Sequence, residues 1–210
     1  MIFDAILFDF DGVLADTEPI HYQCWLEILA PFGIEPTWDY YQRECIGISD
    51  RLMVERISTP ALFDLIWPKY ALKQALFRHK LTLKSPFSAE TSALIAELSP
   101  HYKLAVVSSS GRTEVEPPII RAGLRGHFQA MVCGKEGGNL KPSPDPYLHA
   151  AQLLGAKVPL VVEDSAAGEA SGRAAGFEVL RVSSAESVPS ALRRALTPPA
   201  GNQQATQTER

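Results

Sequence analysis

Cysteine is scarce in this chain. Its three copies, Cys24, Cys45 and Cys133, share no metal-type spacing and form no C-x-x-C. An odd, scattered count argues against a disulfide framework or a zinc site and suits reduced, buried thiols in an intracellular setting. Long apolar runs are also lacking. Met1 leads almost directly into Ala5 to Phe10, a stretch that Asp9 and Asp11 interrupt, so neither an export leader nor a bilayer span is readable. A strong charge of one sign is missing too: the net charge is -4 over 210 residues, which gives no reason to expect nucleic acid or a membrane as partner. There is no internal repeat. The expectation is a soluble, cytoplasmic monomer. What the chain does have is apolar content, 46% of its residues, enough for the core of one domain with a modest insert.

The order of elements follows from periodicity. Ala5 to Asp9 is short and apolar and ends at a glycine-containing turn, as a buried strand does. Trp25, Ile28, Leu29 and Phe32 then recur at helical spacing, with Gly33 placed to end the helix. From about Thr37 to His79 no strand pattern occurs. Ser49 can cap a helix over 50–57, Thr59-Pro60 starts another, and Pro68 separates that one from a helix over 68–79. Beyond Ser85-Pro86 the pattern alternates. Helices over 89–98, 117–122, 146–154 and 166–175 precede strands over 104–107, 130–133, 160–163 and 178–182. Val188, Leu192 and Leu196 mark a last helix. Alternation of this kind predicts an α/β fold, a doubly wound parallel sheet with an inserted all-helical block. The polar stretch 197–210 is expected to be a disordered tail.

Sites on open parallel sheets form beyond the carboxyl ends of the strands. Polar residues at those ends are Asp9 and Asp11, Ser108, and Glu163 with Asp164; Lys141 lies in the loop before a helix. Taken singly, each has an ordinary explanation as a turn residue, a helix cap or a solvated lysine. Together they are a different matter. Clustered carboxylates repel unless a cation sits among them, and an all-oxygen site with few protein ligands suits Mg²⁺. A lysine beside such a site, with a serine hydroxyl and free backbone N–H groups at a helix start, fits an anionic substrate such as a phosphate. Transfer of a phosphoryl group needs charge neutralisation and in-line positioning, and a carboxylate can serve as its nucleophile.

Phe8-Asp-Phe-Asp-Gly-Val-Leu-Ala-Asp-Thr17 resembles the first motif of haloacid dehalogenase-type phosphatases. Val106-Val-Ser108 is similar to the second. Lys141-Pro-Ser-Pro-Asp-Pro-Tyr-Leu148 resembles the third, and Val162-Glu-Asp-Ser-Ala-Ala-Gly168 the fourth. The resemblance implies a Rossmann-like core over 1–15 and 85–196 and a helical cap over 16–84. It also implies roles. Asp9 would attack phosphorus, and Asp11 would act as general acid and then as base. Ser108 and Lys141 would hold the phosphoryl group. Asp9, Asp164 and the carbonyl of Asp11 would bind Mg²⁺, with Glu163 in support. His21 matches a position that helps to place Asp11, and Arg51, Ser109, Ser110 and Arg112 are expected to touch substrate. Thr17-Glu-Pro-Ile-His21 resembles the branch of β-phosphoglucomutases and small sugar phosphatases.

The preferred expectation is hydrolysis of a small phosphorylated metabolite, a sugar phosphate above all. The runner-up is a β-phosphoglucomutase-like isomerase. In those mutases an arginine directly follows the serine of the cap loop, where this chain has Asp50 after Ser49, with Arg51 one place later. A dehalogenase is disfavoured by Asp11. A phospho-acceptor signalling module is disfavoured by Asp11 and by the helical insertion, because an aspartyl phosphate beside a positioned acid/base hydrolyses quickly.

Overall fold

The computed structural model describes residues 3–46 and 48–197. Of the tail predicted over 197–210, all but Thr197 lies outside the described residues.

Five strands, β1 (Ala5–Phe8), β2 (Lys103–Ser108), β3 (Ala130–Cys133), β4 (Pro159–Glu163) and β5 (Glu178–Arg181), form one parallel sheet in the order β3-β2-β1-β4-β5. Strand side chains alternate between faces, and here both faces are apolar. Ile6, Phe8, Leu104, Val106, Met131 and Val162 enter one cluster, and Ala5, Leu7, Ala105, Val107, Val132 and Val161 enter the other. A sheet with two dry faces needs helices on both. On the first face lie α6 (Ala89–Leu98), α7 (Arg112–Arg121) and α10 (Val188–Leu196), through Leu94, Val115, Ile119 and Leu192. On the second lie α8 (Asp145–Leu154), through Tyr147, Ala150 and Leu154, and α9 (Ala166–Ala174), whose Gly172 sits against Val161 and Val179.

This order decides where the chemistry falls. The chain winds outward from β1 to β3 with its helices on one face, then returns to β4 and β5 with its helices on the other. The reversal lies between β1 and β4, where an open parallel sheet leaves a crevice at its carboxyl edge. Register completes the arrangement. Phe8 pairs with Val162, so Asp9 and Glu163 emerge side by side.

Between β1 and α6 lie α1 (Glu18–Leu29), α2 (Trp38–Glu44), α3 (Asp50–Ile57), α4 (Pro60–Ile66) and α5 (Tyr70–Leu83). Thr37, Ser49 and Thr59 cap α2, α3 and α4, each accepting a backbone N–H three residues on. Gly33 adopts φ 70° and stops the tight turn that follows α1. These helices have their own cores. Trp25, Leu29, Tyr41, Val54 and Ile66 form one, and Cys24, Phe77 and Leu81 another.

One boundary differs from expectation. The helix predicted to start at Pro117 starts at Arg112, with Pro117 and Pro118 inside it. Proline in a helix interior forfeits a backbone hydrogen bond, but Glu114 N–H and Val115 N–H close the first turn on the Gly111 carbonyl, and Val115, Pro118 and Ile119 bury one face. Packing outweighs the proline signal here. The helix predicted over 68–79 likewise runs over Tyr70–Leu83, after a 3-10 turn at Trp67–Lys69.

Gly168, in the first turn of α9, donates its N–H to Ser165 Oγ at 3.0 Å, and a Cβ there would land inside the Glu163 carboxylate. Glu163 is fully buried and held on both oxygens, so it has no room to yield. Gly168→Ala should therefore cost about 1–3 kcal/mol in chemical denaturation. Gly126→Ala, which would meet nothing within 4 Å, should be close to neutral; equal costs would contradict this packing.

Candidate functional site

The centre of the site is an ammonium between two carboxylates. Lys141 Nζ donates to Asp9 Oδ1 at 2.6 Å, to Glu163 Oε1 at 2.6 Å and to the Val107 carbonyl at 2.8 Å. All three of its N–H groups are used, and the ammonium also lies 4.9 Å from the centroid of the Tyr147 ring. Glu163 is saturated as well. Its Oε1 also accepts from Tyr147 at 2.7 Å, and its Oε2 accepts from Asp164 N–H, Ser165 N–H and Ser165 Oγ. Glu163 thus anchors Lys141 and the start of α9. Asp9 keeps one carboxylate oxygen with no hydrogen-bond partner among the described residues.

Asp11 is held from two sides. Thr17 Oγ1 donates to its Oδ1 and Ser110 Oγ to its Oδ2, both at 2.7 Å. His21 Nε2 stands 3.9 Å from Oδ1, too far for a hydrogen bond. Burial pushes the Asp11 carboxyl up, but His21 and the Thr17 and Ser110 hydroxyls outweigh it and hold it down at about 2. Ser108 is buried at the end of β2, and its hydroxyl accepts the N–H of Ser110 at 3.0 Å, which shapes the turn that carries Ser109 and Ser110. Ser109, Ser110 and His21 line the cleft between the sheet edge and the helical insertion.

Two residues were not singled out from the sequence. Lys73 of α5, only 2% exposed, contacts His21 Nδ1 at 2.7 Å and donates to Asp50 Oδ2 at 3.0 Å; Trp25 Nε1 donates to Asp50 Oδ1 at 2.7 Å. Asp50, Lys73, His21 and Asp11 thus form a continuous polar chain from the insertion to the sheet edge, with His21 stacked on Phe77 at 4.0 Å. Glu114 of α7 is the other, buried and lining the same cleft. A signal for both existed. Lys73 shares a helical stripe with Tyr70, Phe77 and Leu81, and Glu114 shares one with Val115 and Pro118. A charge on an apolar stripe marks a buried charge.

Two expected substrate contacts are occupied elsewhere. Arg112 makes a two-pronged pair with Glu136 at 2.8 and 2.7 Å and donates to the Met131 carbonyl, so it braces the turn after β3 instead of reaching the cleft. Arg51 borders the cleft, but its guanidinium is paired with Glu55 at 2.9 Å and lies over the rings of Phe63 and Trp67.

Asp9, Glu163 and Asp164 bring one carboxylate oxygen each within 4.8 Å of one another. Burial and the nearby Glu163, Asp11 and Asp164 push Asp9 up against the opposing pull of Lys141, and burial with Glu163 raises Asp164 to about 6. One lysine does not balance this much negative charge, so the donor set fits a divalent cation. Because Glu163 is saturated, the free oxygens of Asp9 and Asp164 are the side-chain groups available to hold it. The Asp11 carboxylate, committed to two hydroxyls, is outside this set.

Residues 6–182 match the family model of haloacid dehalogenase-like hydrolases. A phosphorylated carbohydrates phosphatase of Thermotoga maritima is 30% identical over 83% of this chain and 82% of its own length. A fructose-1-phosphate phosphatase of Escherichia coli is 26% identical over 85% and 95%. The crystal structure of a CbbY variant from Rhodobacter sphaeroides, in complex with xylulose-(1,5)-bisphosphate, superposes with a TM-score of 0.67 at 26% identity, covering 84% of each chain. The chain belongs to the haloacid dehalogenase-like hydrolases.

Proposed function

We propose that this chain is a Mg²⁺-dependent phosphatase that hydrolyses a small phosphorylated sugar or related metabolite through an aspartyl-phosphate on Asp9. The observation that carries the reading is the trio of Asp9, Lys141 and Glu163 beside a second, separately held carboxylate, Asp11. Its relatives are named as phosphatases of phosphorylated carbohydrates and of fructose 1-phosphate.

Asp9 attacks phosphorus with one carboxylate oxygen while the other is available to the metal, and the bond to the leaving oxygen breaks. Lys141 holds the nucleophile in place and, with Ser108 and Ser109 at the end of β2, offsets the charge of the phosphoryl oxygens. Asp11 passes a proton to the leaving oxygen. It then takes one from the water that attacks the acyl phosphate, and the phosphorus–Asp9 bond breaks to release inorganic phosphate. In the free protein Asp11 is ionised, the form the second step needs. An incoming phosphate dianion raises its proton affinity, so that Asp11 takes up a proton from solvent before it acts as the acid in the first. Bound at Asp9, Asp164 and the Asp11 carbonyl, Mg²⁺ would neutralise charge on the transferring group. Residues 16–84 act as a cap on the core formed by 1–15 and 85–196, and closure of the cap excludes bulk water.

A mutase must grip a second phosphate to re-present the intermediate. Asp50 in the place of the mutase arginine, the pairing of Arg51 with Glu55 and that of Arg112 with Glu136 all weigh toward hydrolysis.

Three outcomes follow. Asp9→Asn should lower phosphate release from sugar phosphates by at least about a thousandfold while the circular dichroism spectrum and thermal midpoint stay native-like; ordinary turnover would sink the mechanism. Chelation of divalent ions should stop turnover and Mg²⁺ should restore it, whereas undiminished activity in excess chelator would remove the metal from the account. Stability should also depend on pH through Glu18, which burial raises from its ordinary range to about 7. Its neutral form is favoured in the folded state, so its contribution is full below the unfolded-state value and is lost as pH rises through about 7. Glu18→Gln should therefore be near neutral at acidic pH and stabilising by roughly 1 kcal/mol or more at pH about 8. A gain that is the same at both pH values would contradict the burial of an ionised carboxylate.

A further inference from the structure

Beside Asp11, the lining of the cleft is acidic. Asp50, Glu18 and Glu114 line it together with Asp11. Glu114 is 9% exposed and accepts no hydrogen bond among the described residues. The lysine and the arginine that line this cleft are committed. The ammonium of Lys73 serves Asp50 and His21 and lies 5.5–5.9 Å from the ring centroids of Trp25, Tyr70 and Phe77. Arg51 is paired with Glu55, and Arg112 with Glu136. The start of α3, a place where free N–H groups and the helix dipole would otherwise welcome an anion, carries the Asp50 carboxylate instead.

We infer that this cleft rejects a second anionic group on the leaving portion of the substrate and takes phosphomonoesters with neutral, hydroxyl-rich leaving groups. The inference rests on the phosphatase reading and narrows its substrate class. Hydroxyl groups donate to Glu114, Glu18 and Asp50, which gives the unpartnered Glu114 carboxylate the donors it lacks. A second phosphate or a carboxylate offers no donor, and above about pH 7, where Glu18 is ionised as well as Asp50, it meets like charge in a partly dry space, where such a clash is costly. Discrimination therefore comes from repulsion built into the wall as well as from attraction.

The test is a comparison of kcat/KM in matched pairs with Mg²⁺: fructose 1-phosphate against fructose 1,6-bisphosphate, and glycerol 1-phosphate against phosphoglycerate. The member without the second anion should be preferred at least about tenfold, mainly through KM. Glu114→Gln should narrow that gap several-fold by lowering KM for the doubly charged member. Arg112→Ala, a change outside the cleft, should leave the ratio as it is. Equal or better use of the bisphosphate and phosphoglycerate by the unaltered protein would overturn the inference while leaving the phosphatase reading intact, as would loss of bisphosphate turnover in Arg112→Ala. Absence of phosphate release from every compound would sink the phosphatase reading and this inference with it.

Discussion

The arrangement depends on one buried cation. Lys141 is tied to two carboxylates and a backbone carbonyl, and it belongs to neither strand whose ends it joins. Buried charges persist only when each is paired and its remaining hydrogen-bonding capacity is met. The sheet meets that demand geometrically. Parallel pairing of β1 with β4 brings Asp9 and Glu163 out together, β2 supplies the Val107 carbonyl, and α8 supplies the Tyr147 hydroxyl. Loss of Lys141 would leave carboxylates facing each other with no counter-charge, so the residue proposed to serve the chemistry also holds the carboxyl edge of the sheet together.

A second buried lysine does comparable work on the other side of the cleft. Lys73 joins Asp50 and Trp25 of the insertion to His21, which faces Asp11. The helical block and the sheet edge therefore meet through polar groups as well as apolar contact, with Thr17 donating to Asp11 and His21 standing 3.9 Å from it. The setting of Asp11, the proposed acid/base, thus involves the same part of the chain that carries Glu18 and Asp50 of the acidic wall.

Much of this was legible in the sequence, and the reason is local. β1, β3 and β4 are apolar runs bounded by turn residues, and Asp9, Asp11, Glu163 and Asp164 stand directly at strand ends, where position follows from the strand alone. Other parts depended on packing between distant segments. Lys73 meets His21 across 52 residues, a contact that no local pattern encodes. Arg112 was expected to face substrate because it follows the Ser108 to Ser110 turn, but α7 begins at that residue and carries its side chain to Glu136. The early start of α7 was hidden for a related reason. Pro117 and Pro118 signal a helix beginning, and only the buried face of Val115 and Ile119 reveals that the helix passes through them.

The most direct test of the central claim is covalent trapping of the intermediate on the nucleophile. The protein would be mixed with Mg²⁺ and a phosphatase substrate, quenched within the first turnover and treated with borohydride, which reduces an acyl phosphate to the alcohol. Peptide mass spectrometry should then find homoserine in place of aspartate at position 9, only when substrate and Mg²⁺ were both present. Modification at another carboxylate, or rapid phosphate release with position 9 unmodified throughout, would contradict the assignment of Asp9 and the account built on it.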